Sequence, residues 1–188
     1  SRGLGDVYKR QDLILADGRR LRLRDPRRFG AVLWSDAPEA HPLLAGLGIE
    51  PFDPRFDGPW LHALCRGRRL PIKSLLMDAH RIVGVGNIYA NESLFHAGIH
   101  PLTAAHRLGP RRAARLAEAV RATLEAAIAA GGSSLRDFVD GEGRPGYFQQ
   151  TYFVYGRAGE PCRHCGQTIV GLRLAGRATY LCPRCQPR

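Results

Sequence analysis

Hydrophobic and polar residues alternate along the first part of the chain and recur at helical spacing through most of the rest. In DLILADGRRLRLRD (12–25), two short alternating runs flank Asp17-Gly18, a pair suited to the positive backbone angles of a tight hairpin turn. A third apolar run, Gly30 to Trp34, extends the β reading over residues 12–34. Residues 35–58 concentrate Pro, Gly and Asp and read as a linker. From Trp60 the pattern turns helical, through WLHALC, SLLMDAH and IYANESLFHAG. A longer helix is predicted from about Pro110 to Ala130, with Leu116, Val120, Leu124 and Ile128 recurring every four residues. Pro110 suits its first turn, and Gly131-Gly132 ends it. A short helix around Leu135–Val139 and a Gly-rich loop, GEGRPGYF, follow. TIVGLRL and RATYL then alternate like two strands joined at Ala175-Gly176. The predicted class is α+β: a few strands from the edge of a sheet, a helical domain and a C-terminal β-hairpin. A two- or three-strand piece is marginally stable alone, so residues 12–34 read as the edge of a larger sheet.

The chain has 188 residues, enough for one ordinary domain or two small ones. No apolar run reaches the roughly 18 residues that span a bilayer, and no secretory pattern opens the sequence. The expected location is therefore the cytoplasm, at the nucleoid. Charge sharpens the picture. Lys plus Arg is 28 against 17 acids, a net +11, and all but Lys9 and Lys73 are arginines. A GC-rich genome accounts for arginine over lysine but not for the excess of positive charge. The balance points to a polyanion, with nucleic acid ahead of an acidic membrane surface.

Four of the five cysteines form one pattern: Cys162-x2-Cys165, sixteen residues, Cys182-x2-Cys185. Each pair sets two thiolates on one turn, and two turns complete a tetrahedron. The expected occupant is one structural zinc, since four thiolates leave no open position for catalysis. Iron on four thiolates and a pair of disulfides are the rival readings, the second without secretory context. His164 lies inside the first knuckle and is expected to be a bystander. Cys65 stands alone and reads as a small core residue. Arg173 and Arg177 ride on the hairpin, a stiff ribbon suited to a DNA groove.

Two further segments carry candidate chemistry. In VGVGNIYANE, Gly84 and Gly86 precede an apolar helix that Asn87 is expected to cap, starting at Ile88. Such an N-terminus can hold an anion, and Lys73 lies close enough in sequence to reach it. An ordinary cap is the plain alternative. In DPRRFG (25–30), Phe29 beside Arg27 and Arg28 could wedge into a base stack, or simply close a hairpin corner.

DPRRFG, VGVGNIYANE, GRPGYF, YGRAGEPC and GRATYLCPRC occur in this order. Together they resemble bacterial formamidopyrimidine-DNA glycosylase, from about Asp12 to the C-terminus. The resemblance implies a β-sandwich lobe, a helix-two-turns-helix domain and a zinc hairpin, gripping double-stranded DNA with a damaged base. The implied activity is base-excision repair: a glycosylase and abasic-site lyase removing oxidised purines. The implied domains are a remnant of the sandwich lobe plus linker (12–58), the helix-two-turns-helix domain (59–152) and the zinc finger (153–187). In this family's pattern, Arg27 and Phe29 fill the space a flipped base leaves. Arg68, Lys73 and Asn87 hold phosphates, and Arg144 covers the flipped base. Arg177 grips the backbone and assists strand cleavage, the one catalytic assignment. A full-length member is expected to be monomeric. An endonuclease VIII-type glycosylase for oxidised pyrimidines and a non-catalytic zinc DNA-binding module are the alternatives.

The family attacks the sugar through the amine of an N-terminal proline followed by glutamate. This sequence begins Ser-Arg-Gly-Leu-Gly-Asp, and residues 1–11 match nothing in the family's pattern. They are set aside as a scar or artefact, and the chain as written is expected to bind DNA without excising bases.

Overall fold

A computed structural model describes residues 9–25, 30, 32–132 and 148–188, which fall into two compact units, Ser1–Ala45 and Gly46–Arg188. Arg27, Phe29, Arg144 and the predicted helix at Leu135–Val139 lie outside the described residues.

In the first unit, strands β1 (Lys9–Ile14) and β2 (Arg20–Asp25) pair antiparallel, with Leu13 opposite Leu21 and Asp12 opposite Arg22. Gly18 takes the left-handed conformation the turn needs, at φ +83°. The Asp17 carboxylate braces the turn by accepting from the Arg19 amide and guanidinium at 3.0 and 2.7 Å. Arg22 forks onto Asp12 across the strands at 2.7 and 2.8 Å. Strand β1 begins at Lys9, so part of the segment set aside as non-native pairs with β2. The third expected run forms no strand at residues 32–35. Instead the Gln11 amide holds Val32, accepting from its N–H at 3.0 Å and donating to its carbonyl at 3.3 Å. Leu13, Ile14, Leu21 and Leu33 are half or more exposed, and Trp34 is 91% exposed.

The second unit starts inside the predicted linker. Ile49 bridges Ile82, and Phe56 is fully buried. A Cβ on Gly48 would lie 2.1 Å from the Arg81 carbonyl, so only glycine allows this close crossing. Helix α1 (Gly58–Cys65) is capped by Asp57, whose carboxylate accepts from the Trp60 amide at 2.7 Å. It packs on α4 (Pro110–Ala129) so closely that a Cβ on Gly58 would lie 2.6 Å from the Ala114 backbone. Between them come α2 (Ile72–Leu76) and α3 (Asn87–His96). Leu61, Ile72, Leu76, Leu94, Ile99, Leu116 and Val120 are fully buried and form the core. Each such side chain contributes on the order of 2 kcal/mol of burial.

Helix α4 departs from the predicted stripe at one end. Leu116, Val120 and Leu124 are buried, but Ile128 is 67% exposed and Ala127 faces the core. A four-residue spacing drifts off a 3.6-residue turn, so by the fourth position Ile128 has rotated out of the core face. The helix ends as expected: Gly131 and Gly132 adopt positive φ and donate to the carbonyls of Ile128 and Ala127. The chain closes with strands β3 (Val170–Leu174) and β4 (Arg177–Leu181), paired antiparallel about Ala175-Gly176. No helix among the described residues is long and apolar enough to cross a membrane.

Candidate metal centre and nucleic-acid interface

The four paired cysteines converge. All four Sγ atoms of Cys162, Cys165, Cys182 and Cys185 lie within 4.8 Å of one another. Cys162 and Cys185 are 3.9 Å apart, and Cys165 and Cys182 are 3.4 Å apart. A tetrahedron with zinc–sulfur bonds of about 2.3 Å has edges of about 3.8 Å, so the four thiolates fit one zinc. The amides of His164 and Cys185 point at Cys162 and Cys182 Sγ, at 3.4 Å each, as donors to thiolate ligands do. The His164 ring nitrogen lies 3.4 Å from Cys185 Sγ, beside the cluster. Cys65 is buried elsewhere, at the end of α1, where burial pushes its thiol up to about 11, away from reactive thiolate.

The centre is fixed to the helical core by three buried polar side chains that the sequence pattern does not single out. Glu92 on α3 is 1% exposed, and its carboxylate accepts from the amides of Phe153, Val154 and Tyr155 at 2.8, 3.0 and 2.8 Å. Asn91 accepts from the Tyr180 amide at 2.7 Å. Gln186 accepts from the Cys182 amide at 3.0 Å and donates to the Ile99 carbonyl at 2.9 Å. The only sequence signal is a polar pair, Asn91-Glu92, standing between the apolar residues Ile88-Tyr89-Ala90 and Leu94-Phe95.

Three of the predicted DNA-contacting residues come together where α2 and α3 meet β4. Lys73 is 1% exposed, and its ammonium donates to the Ala178 carbonyl at 2.8 Å and the Thr179 hydroxyl at 2.7 Å. Asn87 donates to the same Ala178 carbonyl at 3.1 Å. It therefore does not cap α3: Asn87 is the first helical residue, Gly86 is the cap position, and no side chain caps this end. Because the helix begins at Asn87 itself, its side-chain oxygen is not in the cap position, and its NH2 group turns to β4. Arg177, at the start of β4, stays exposed beside Lys73, and the two line a cleft of about 140 Å³ with Ser74, Met77, Leu174 and Ala175. Burial, then the Arg177 charge, brings the Lys73 ammonium down to about 8. Two cations held against each other with no carboxylate lining the cleft favour an anion. Arg68 lies apart from this cluster. Its guanidinium donates to the Leu64 carbonyl at the end of α1.

Residues 47–139 match the formamidopyrimidine-DNA glycosylase H2TH domain model, and residues 159–188 match the zinc finger found in FPG and IleRS. A formamidopyrimidine-DNA glycosylase of Methylobacillus flagellatus is 59% identical over 93% of this chain and 63% of its own length. The chain thus spans under two thirds of that relative. The MutM (Fpg) protein of Thermus thermophilus superposes with a TM-score of 0.83 at 40% identity, covering 97% of this chain and 73% of that one. A Lactococcus lactis Fpg mutant in complex with Fapy-dG-containing DNA matches with a TM-score of 0.83 at 33% identity, over 94% of this chain and 65% of that one.

Proposed function

Because this chain belongs to the formamidopyrimidine-DNA glycosylase family, we propose that it serves base-excision repair, gripping duplex DNA at an oxidised purine for glycosylase and abasic-site lyase chemistry. The observation that carries this is the joint made by Lys73, Asn87 and β4. It holds Arg177 exposed at the tip of a metal-pinned hairpin. Four thiolates on one zinc keep that hairpin stiff and supply no open coordination site, so the metal's part is structural. Arg177 offers a guanidinium fork to a backbone phosphate. Lys73 adds field from beneath rather than direct contact.

Lys73 is not the attacking amine in this reading, because its nitrogen is sealed under β4 and committed to two acceptors. Arg27, Phe29 and Arg144 keep the roles the resemblance implies: filling the vacated stack and covering the extruded base. Arg68 anchors the end of α1 and offers DNA only its remaining guanidinium nitrogens. A full-length member works as a monomer, on chromosomal DNA in the bacterial cytoplasm.

Arg177→Ala tests the reading. Duplex affinity is expected to fall about tenfold or more, since a charge-assisted hydrogen bond is worth about 1.5–3 kcal/mol, with zinc content and helicity retained. Unchanged affinity in a folded, zinc-loaded variant would overturn it.

A further inference from the structure

Outside the hairpin itself, the second unit carries a concentrated positive surface. The loop after α1 holds Arg66, Arg68 and Arg69; the segment leading into α4 holds Arg107, Arg111 and Arg112. The two segments are laced together by their backbones. The His106 amide donates to the Arg68 carbonyl at 2.8 Å, the Ala105 amide to Leu70 at 2.9 Å, and the Ile72 amide to Thr103 at 2.8 Å. Pro71 bridges Ala104 between them. Arg66, Arg69, Arg107 and Arg111 are exposed, and Arg68 and Arg112 are half-buried.

Neither residues 58–77 nor residues 99–117 contain an aspartate or glutamate. Among the described residues, none of the six arginines has a carboxylate at ion-pair distance. Elsewhere on the same unit, outside the equally acid-free segment 161–188, acids stand among the arginines: Arg55 is paired with Asp53 at 2.7 Å and Arg157 with Glu160 at 2.8 Å. A solvated surface that merely reflects an arginine-rich composition would mix signs in the same way. The first turn of α4 adds to the field, since it has no acidic residue and no side-chain cap.

We propose that this arginine ledge is a second phosphate-binding surface, which holds the flanking duplex of bound DNA separately from the hairpin and the lesion. The inference rests on the DNA-binding reading above. Its ligand is the sugar-phosphate backbone, recognised by charge without base readout. Guanidinium groups suit that ligand because each presents a planar fork to phosphate oxygens. The ledge therefore contributes affinity and salt dependence, not lesion choice.

The test is a triple variant, Arg69→Ala with Arg107→Ala and Arg111→Ala, compared with the parent chain on a duplex two helical turns long over a salt series. Removing one arginine that neutralises a phosphate lowers the slope of log affinity against log salt by about 0.9. The triple variant is expected to flatten the slope by up to about 2.7, to weaken binding at low salt, and to leave helicity, zinc content and any preference for a damaged duplex unchanged. A slope and affinity equal to the parent's would overturn the ledge alone, as would an effect confined to damage preference. If the parent itself binds duplex without salt dependence, the DNA reading fails first, and the two failures are told apart.

Discussion

Lys73 shows how one residue can be both joint and sensor. It is 1% exposed, holds β4 through two hydrogen bonds, and titrates near 8 instead of 10.5 because burial disfavours its charge. Below pH 8 the folded and unfolded chains both carry the proton, and the burial penalty is present in full. Between pH 8 and 10.5 the unfolded chain binds more protons than the folded one, so stability rises with pH through that window. The full shift is on the order of 3 kcal/mol. The parent is accordingly expected to gain stability relative to Lys73→Met between pH 8 and 10.5, and to show a constant difference below about pH 7. Denaturant melts of both proteins across that range check it; a difference that stays constant, or shrinks as pH rises, would contradict the buried-ammonium account. Glu92 is the acidic counterpart. Its two carboxylate oxygens satisfy three amides, the Val154 amide buried and those of Phe153 and Tyr155 half-buried. In Glu92→Ala each orphaned amide costs about 1–3 kcal/mol, so this substitution is expected to be among the most destabilising in the unit, as read by denaturant midpoint.

At the scale of elements, what was legible follows from how local each signal is. The Asp17-Gly18 turn, the Pro110 start and Gly131-Gly132 stop of α4, and the cysteine spacing are decided by neighbours in sequence, and all four hold. The failures are tertiary. Asn87 looked like a cap because Gly-Asn before an apolar run suits one, but the helix starts at Asn87 itself and its side-chain NH2 donates to β4, some ninety residues away. Glu92 carries no local mark of its role, since its three partners lie some sixty residues on. The predicted linker hid Phe56, a core residue in polar company, tied to α4 by Arg121, which donates to the Pro51, Asp53 and Phe56 carbonyls. The same division of local and tertiary bonding predicts how the zinc hairpin comes apart. The thiolate cluster organises residues 162–185, while the helices pack on their own apolar core. Chelating the metal is expected to release the hairpin and leave most of the far-ultraviolet helical signal. Loss of the whole helical signal would show that hairpin and helices unfold as one cooperative unit.

For the whole molecule, two features converge on DNA: a strong positive excess, and a stiff hairpin that holds an exposed arginine over a buried lysine. Charge alone would favour any duplex equally. A repair protein must do more, and prefer a site where a base is already unstacked or missing, because extruding a paired base costs a few kcal/mol. The most direct measurement is equilibrium binding of the zinc-loaded chain to two duplexes of one sequence, one intact and one with a single abasic-site analogue, at several salt concentrations. The account predicts affinities for both that fall steeply with salt, and a preference of about tenfold or more for the abasic duplex at every salt. Equal affinity for the two duplexes throughout would contradict it, leaving a zinc-stiffened DNA-binding module with no eye for damage.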